Sequence, residues 1–180
     1  SGAALIADAI APGATRNLAS QIETFLGVFI PGAVQPIAGL FPNPVLAAGS
    51  EPATVVAGDL NGDTFLDIVT ANEGETNVVV QFGSEDGTFL PRRLFAVADV
   101  PSDVVLGHVD GDMNLDIITA NSGFNGIAAY GGNSVSVLLG DGTGQFPQRN
   151  DFEVFDGPVS VKLGLINDAD AFVDIVTTSV

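Results

Sequence analysis

The feature that most constrains this chain is an internal repeat. The stretch Asp67-Ile68-Val69-Thr70-Ala71-Asn72 returns as Asp116-Ile117-Ile118-Thr119-Ala120-Asn121, and again, worn, as Asp174-Ile175-Val176-Thr177-Thr178-Ser179. The leading Asp residues stand at 67, 116 and 174, so the copies lie 49 and then 58 residues apart. Self-similarity at such a period marks one supersecondary unit stacked against copies of itself.

The segments between the copies repeat as well. "NVVVQFGSEDGTF" (77–89) matches "SVSVLLGDGTGQF" (134–146). Both read as a strand, a hairpin with Asp-Gly in its turn, and a further strand. "EPATVVAG" (51–58), "VPSDVVLG" (100–107) and "GPVSVKLG" (157–164) each open a strand on Pro, where a missing N–H is tolerated. One unit is therefore four short antiparallel strands with an acidic loop between the first two. That is the size of a propeller blade.

Two complete units are expected, about Thr54–Val97 and Asp103–Phe155. Phe41–Ala48 reads as the fourth strand of an earlier unit, and the residues up to Val180 supply the first two strands of a third. A closed propeller takes four or more blades, so 180 residues would leave one incomplete. Open sheet edges invite pairing with another chain.

Residues 1–40 do not repeat and form an N-terminal arm ahead of the repeat domain at 41–180. Leu18, Ile22, Phe25, Leu26 and Phe29 share one helical face, and Pro31-Gly32 ends the pattern. A strand over Leu26–Ile30 is the alternative, because "GVFI" is β-prone. Ala3–Ile10 reads as a second short helix or an extended arm. The fold class expected is all-β: tandem four-stranded antiparallel propeller-type blades, forming an incomplete propeller, with a short helical N-terminal arm.

The acidic loop carries the chemistry. Asp59, Asn61, Asp63 and Asp67 stand two, two and four residues apart, just before Ile68-Val69. Alternation alone does not require this, since Ser, Thr or Lys could also face solvent. A tight loop turns alternate residues inward, so positions one, three and five converge, the carbonyl of position seven joins them, and the Asp at position nine closes the shell. In the first loop these are Asp59, Asn61, Asp63, the Phe65 carbonyl and Asp67. In the second His108 takes position one, followed by Asp110, Asp112, the Asn114 carbonyl and Asp116. In the third Ile166 takes position one, followed by Asp168, Asp170, the Phe172 carbonyl and Asp174. Hard oxygen donors in such number suit calcium (Ca2+), which takes six to eight at about 2.3–2.6 Å. Magnesium demands a stricter octahedron, and zinc would want His or Cys. The competing reading is three acidic β-turns, since Asp and Asn are favoured turn residues.

Charge narrows the partners. The chain has 22 acidic residues against 5 basic ones, a net charge of −17. That balance excludes nucleic acid, whose phosphates need Lys and Arg patches, and has the wrong sign for an anionic membrane surface. Bound cations would relieve the self-repulsion. No window reaches the roughly 18 uninterrupted apolar residues of a membrane span. With apolar residues at 46%, the chain can still bury a core.

The pattern "GDLNGDTFLDIVTAN…NVVVQFGSEDGTF" resembles the FG-GAP/VCBS repeat family, which includes the propeller of integrin alpha chains. The resemblance covers about Phe41 to Val180. It implies β-propeller blades with calcium in the loop between the first and second strands. It also implies an extracellular or cell-surface adhesion or ligand-binding module, in some relatives appended to an enzyme. That family places Gly at position six of the loop, where this chain has Thr64, Met113 and Ala171.

No catalytic constellation emerges. His108 is the one His, Cys is absent, and a serine nucleophile needs a positioned base. "GDGTG" (140–144) lacks the Lys and following helix of a phosphate loop. The expected function is a non-enzymatic, calcium-stabilised structural module that assembles head to tail with copies of itself, as a filament or ring, through its N-terminal arm and unfinished blade. The alternatives are a recognition module that takes a protein or glycan through Phe124 and Tyr130 of a long loop, or a fragment of a larger propeller protein.

Overall fold

A computed structural model describes residues 46–123, 132–155, 157–166 and 173–179. Among them every regular element is a strand. These are β1 (Pro52–Gly58), β2 (Asp67–Asn72), β3 (Asn77–Gln81), β4 (Arg93–Ala96), β5 (Pro101–Gly107), β6 (Asp116–Asn121), β7 (Ser134–Leu139), β8 (Gln148–Glu153), β9 (Pro158–Gly164) and β10 (Asp174–Ser179).

The strands form two four-stranded antiparallel sheets, ordered β1-β2-β3-β4 and β5-β6-β7-β8, and a two-stranded sheet, β9-β10. The repeat is thus a repeat of sheets. Equivalent pairs keep one register: Gly58 faces Asp67, Gly107 faces Asp116 and Gly164 faces Asp174. Each Pro stands first in its strand, and a bulge follows it in β1 and β5. The bulge and the proline both lie at the end of the ladder, where a missing donor costs little.

The alternating Val, Ile and Ala residues pack the sheets face to face. One apolar cluster joins Val69, Ala71, Val78 and Val80 of the first sheet to Val104, Ile117 and Leu138 of the second. The opposite face of the second sheet sends Ile118, Ala120, Val135 and Val137 against Val161 and Ile175 of the third. Neighbours such as Ile117 and Ile118 therefore point to different clusters, as the period of two requires. β2 and β6 are covered on both faces and buried from end to end. β5 lies beside both β1 and β9.

The described residues divide into two compact units. The larger comprises Ala48–Phe82 and the described residues from Pro91 onward. The hairpin Gly83–Leu90 belongs to the other. In that hairpin Gly83 bridges Phe89, and Asp86 accepts hydrogen bonds from Ser84 and from the Thr88 hydroxyl and N–H. These bonds hold the Asp86 carboxyl below its ordinary value.

The expected fourth strand at Phe41–Ala48 is not formed in its described part: residues 46–49 carry no strand assignment. The helical or extended arm expected over residues 1–40 lies outside the described residues. So do the insert residues Phe124 and Tyr130.

Candidate metal centre

The first acidic loop, between β1 and β2, is wound on its own carboxylates. Asp59 Oδ1 accepts the N–H of Asn61 at 3.3 Å and of Gly62 at 2.8 Å, and its Oδ2 accepts the N–H of Thr64 at 2.8 Å. Asn61 Oδ1 accepts Asp63 N–H at 3.1 Å, and Asp63 Oδ1 accepts Phe65 N–H at 2.8 Å. The alternate residues act as successive turn acceptors, which is why Asp and Asn occupy them. Gly62 takes φ of 76° and Thr64 of 73°. Gly adopts that conformation freely, whereas the Thr64 side chain costs roughly 1–2 kcal/mol there.

Every donor in this loop is an oxygen of a carboxylate, amide or carbonyl, which fits a hard cation. The side chains are nevertheless turned onto one another and onto the backbone. Asn61 Nδ2 donates to Asp63 Oδ2 at 2.8 Å, and buried Asp67 accepts Leu60 N–H at 2.8 Å. Among the described residues no three Asp, Glu or His side chains converge as a ready metal cluster. A cation taking Asp63 Oδ2 would compete with the Asn61 amide for it.

The second loop keeps the ladder but changes its closure. Asp110 Oδ1 accepts Asp112 N–H at 3.0 Å. Asp112 accepts the Asn114 N–H at 2.8 Å and its side-chain amide at 2.7 Å. His108 Nδ1 lies 2.7 Å from the Asn114 carbonyl oxygen. A carbonyl only accepts, so Nδ1 carries the proton. Positions one and seven, which a cation would bridge, are joined directly. Gly111 takes φ of 88°, and Met113 does not share the positive φ of Thr64. The two turns therefore differ at position six.

Asp116 closes this loop from inside the fold. It is fully buried and accepts Val109 N–H and Gly140 N–H, at 2.8 and 2.9 Å. Burial pushes its carboxyl above the ordinary value, and the charges of Asp110 and Asp112 add to the rise against those two bonds. In the third loop Asp174 accepts Ile166 N–H at 2.8 Å. Leu60 and Val109, which make the equivalent bond, are each two residues past the strand-ending glycine, and so is Ile166 after Gly164. Ile166 therefore sits at position two, not position one, and this loop is one residue longer than its fellows. Asp168, Asp170 and Phe172 lie outside the described residues.

One participant was not legible as such. The "GDGTG" hairpin between β7 and β8 buttresses both loops: Gly144 N–H donates to the Leu60 carbonyl at 3.1 Å. A Cβ on Gly144 would meet Phe82, and one on Gly142 would meet Asn114 Oδ1 at 2.4 Å. The signal was the alternation of glycine at 140, 142 and 144, which close approach explains.

Residues 52–88, from β1 through the hairpin after β3, match the FG-GAP repeat family. No curated protein and no solved structure matches the chain.

Proposed function

With an FG-GAP repeat at residues 52–88 as premise, we propose that this chain is a non-enzymatic, calcium-stabilised extracellular module of β-propeller type that assembles with copies of itself. The contacts of β5 with both β1 and β9 support a blade-like succession of sheets. Calcium takes the first loop, held by Asp59, Asn61, Asp63 and the Phe65 carbonyl with Asp67 behind them. Its role is to fix the turn from β1 into β2 and to offset part of the −17 charge. Asp110, Asp112, Asn114 and Asp116, and Asp168, Asp170, Phe172 and Asp174, form weaker versions of the same site.

One observation carries the assembly. β10 repeats the sequence of β2 and β6, which are buried throughout, yet β10 is mostly half-buried or exposed, with Val176 at 39%. Among the described residues it has β9 as its one neighbour in the sheet. A sheet edge of this kind pairs with a strand from elsewhere, and the arm at residues 1–40 of another copy is the donor we assign. Repeated head to tail, that exchange yields a ring or a filament.

Electron microscopy of the purified chain in calcium, repeated after chelation, tests this. Rings or filaments that come apart on chelation are expected. Dispersed particles under both conditions would overturn the assembly.

A further inference from the structure

The first strands of the three sheets are joined by two devices that recur. The third residue of one strand accepts the N–H of the fourth residue of the next: Thr54 Oγ1 takes Val104 N–H at 3.1 Å, and Asp103 Oδ2 takes Val161 N–H at 3.0 Å. The closing glycine of one strand leaves a notch that the sixth residue of the next enters. A Cβ on Gly58 would come within 2.8 Å of Leu106 Cδ1 and 2.7 Å of Leu115 Cδ1, which shares that notch, and one on Gly107 within 2.3 Å of Leu163 Cδ1.

β9 presents the receiving half of both devices. Ser160 holds the third position; its hydroxyl donates to Asp103 at 2.8 Å, which leaves its oxygen able to accept. Gly164 holds the notch, and a Cβ there would meet nothing within 4 Å. Val159 is 38% exposed, whereas Ser102, its equivalent in the doubly flanked β5, is buried. β1 presents the inserting half: Val55 stands at the fourth position and exposed Ala57 at the sixth.

From these complementary flanks we infer that β9 of one copy receives β1 of a second copy, with Val55 N–H on Ser160 Oγ and Ala57 over Gly164. The contact continues, between chains, the interface that β1 makes with β5 and β5 with β9. It deepens the assembly reading above by naming a surface, and needs neither the N-terminal arm nor the edge of β10. Ala57 fills the notch less than the leucines at Gly58 and Gly107 do, so this joint is looser than the internal ones.

Sedimentation equilibrium of the full 180-residue chain tests it, with A57L and G164L as variants. Both positions are open, so at a dilution where the chain is monomeric both variants should keep the wild-type melting curve. Filling the notch with A57L should tighten self-association about tenfold or more, by burying three further carbons. Blocking it with G164L should weaken association by a similar factor. That pair of shifts supports the joint, and any other pattern overturns it. Association that neither variant alters places assembly on another surface and leaves the proposed function standing. All three chains monomeric at about 1 mM would remove both.

Discussion

The imidazole Nδ1 of His108 donates to the carbonyl oxygen of Asn114 at 2.7 Å, across the mouth of the second acidic loop. That proton stands between the two positions a cation would join. A cation using both positions would have to displace the ring.

Replacing His108 with Asp restores the oxygen donor of the first loop at the same position. The variant should bind calcium at the second loop about tenfold or more tightly than the wild type, and calcium should raise its melting temperature further. Isothermal titration resolves the weaker class of sites. An unchanged affinity there would show that His108 is not what limits the second loop.

The first loop separates scaffold from ligand. Asp59 accepts three backbone N–H groups, so D59A should destabilise the chain by about 1–3 kcal/mol even in a chelator, each orphaned donor losing its partner. D63N keeps the turn acceptor and removes a charge. It should cost under about 1 kcal/mol without calcium and shrink the calcium-induced rise in melting temperature. If D63N leaves that rise intact, Asp63 is not a ligand.

Asp103 sets a pH dependence. It is 6% exposed and joins β5 to β9 through Val161 N–H, Ser160 and Lys162 Nζ at 2.9 Å. Burial pushes its carboxyl up, but the bonds from Lys162, Val161 and Ser160 outweigh burial and hold it below 3.8. A depressed folded-state value means that the unfolded chain binds the proton more tightly. The stability Asp103 supplies is therefore present above that ordinary value and lost as pH falls through the depressed one. D103N should flatten the acid limb of stability in that window. Denaturant melts from pH 5 down to about pH 2 measure this, and an unchanged limb would refute it.

Two glycines in equivalent places should respond differently. G107A brings a Cβ to 2.3 Å from Leu163 Cδ1, so the flexible end of that side chain must turn away, and the variant should cost about 1 kcal/mol. G164A meets open space and should change stability by no more than about 0.5 kcal/mol. Chemical denaturation compares them. Equal effects would mean that the leucine notch does not order the sheets.

Thr64 stores strain at φ of 73°. T64G should stabilise the calcium-free chain by up to about 1.5 kcal/mol, relief of roughly 1–2 less the entropy of Gly of roughly 0.5–1. M113G, where φ is not positive, should destabilise instead. Thermal melts in chelator decide between them.

The sequence by itself determined the strands from β1 onward and their antiparallel order within each unit, though not the strand expected at Phe41–Ala48. Period-two alternation of Val and Ile, the strand-opening prolines and the Asp-Gly turns are local signals, and the copies at 67, 116 and 174 reinforce one another. It also determined that Asp59, Asn61 and Asp63 act together, because turn acceptors two residues apart bond within their own loop. Tertiary structure decided what spacing could not carry. Counting back from Asp174 put Ile166 one position early, since an extra residue is silent until the bond to Asp174 fixes the register. The partner of His108, the glycines of the β7–β8 hairpin and the Asp103–Lys162 joint depend on groups that meet across a loop or between sheets. Such contacts reward residues far apart in the chain, and they exist only once hydrophobic burial has stacked the sheets.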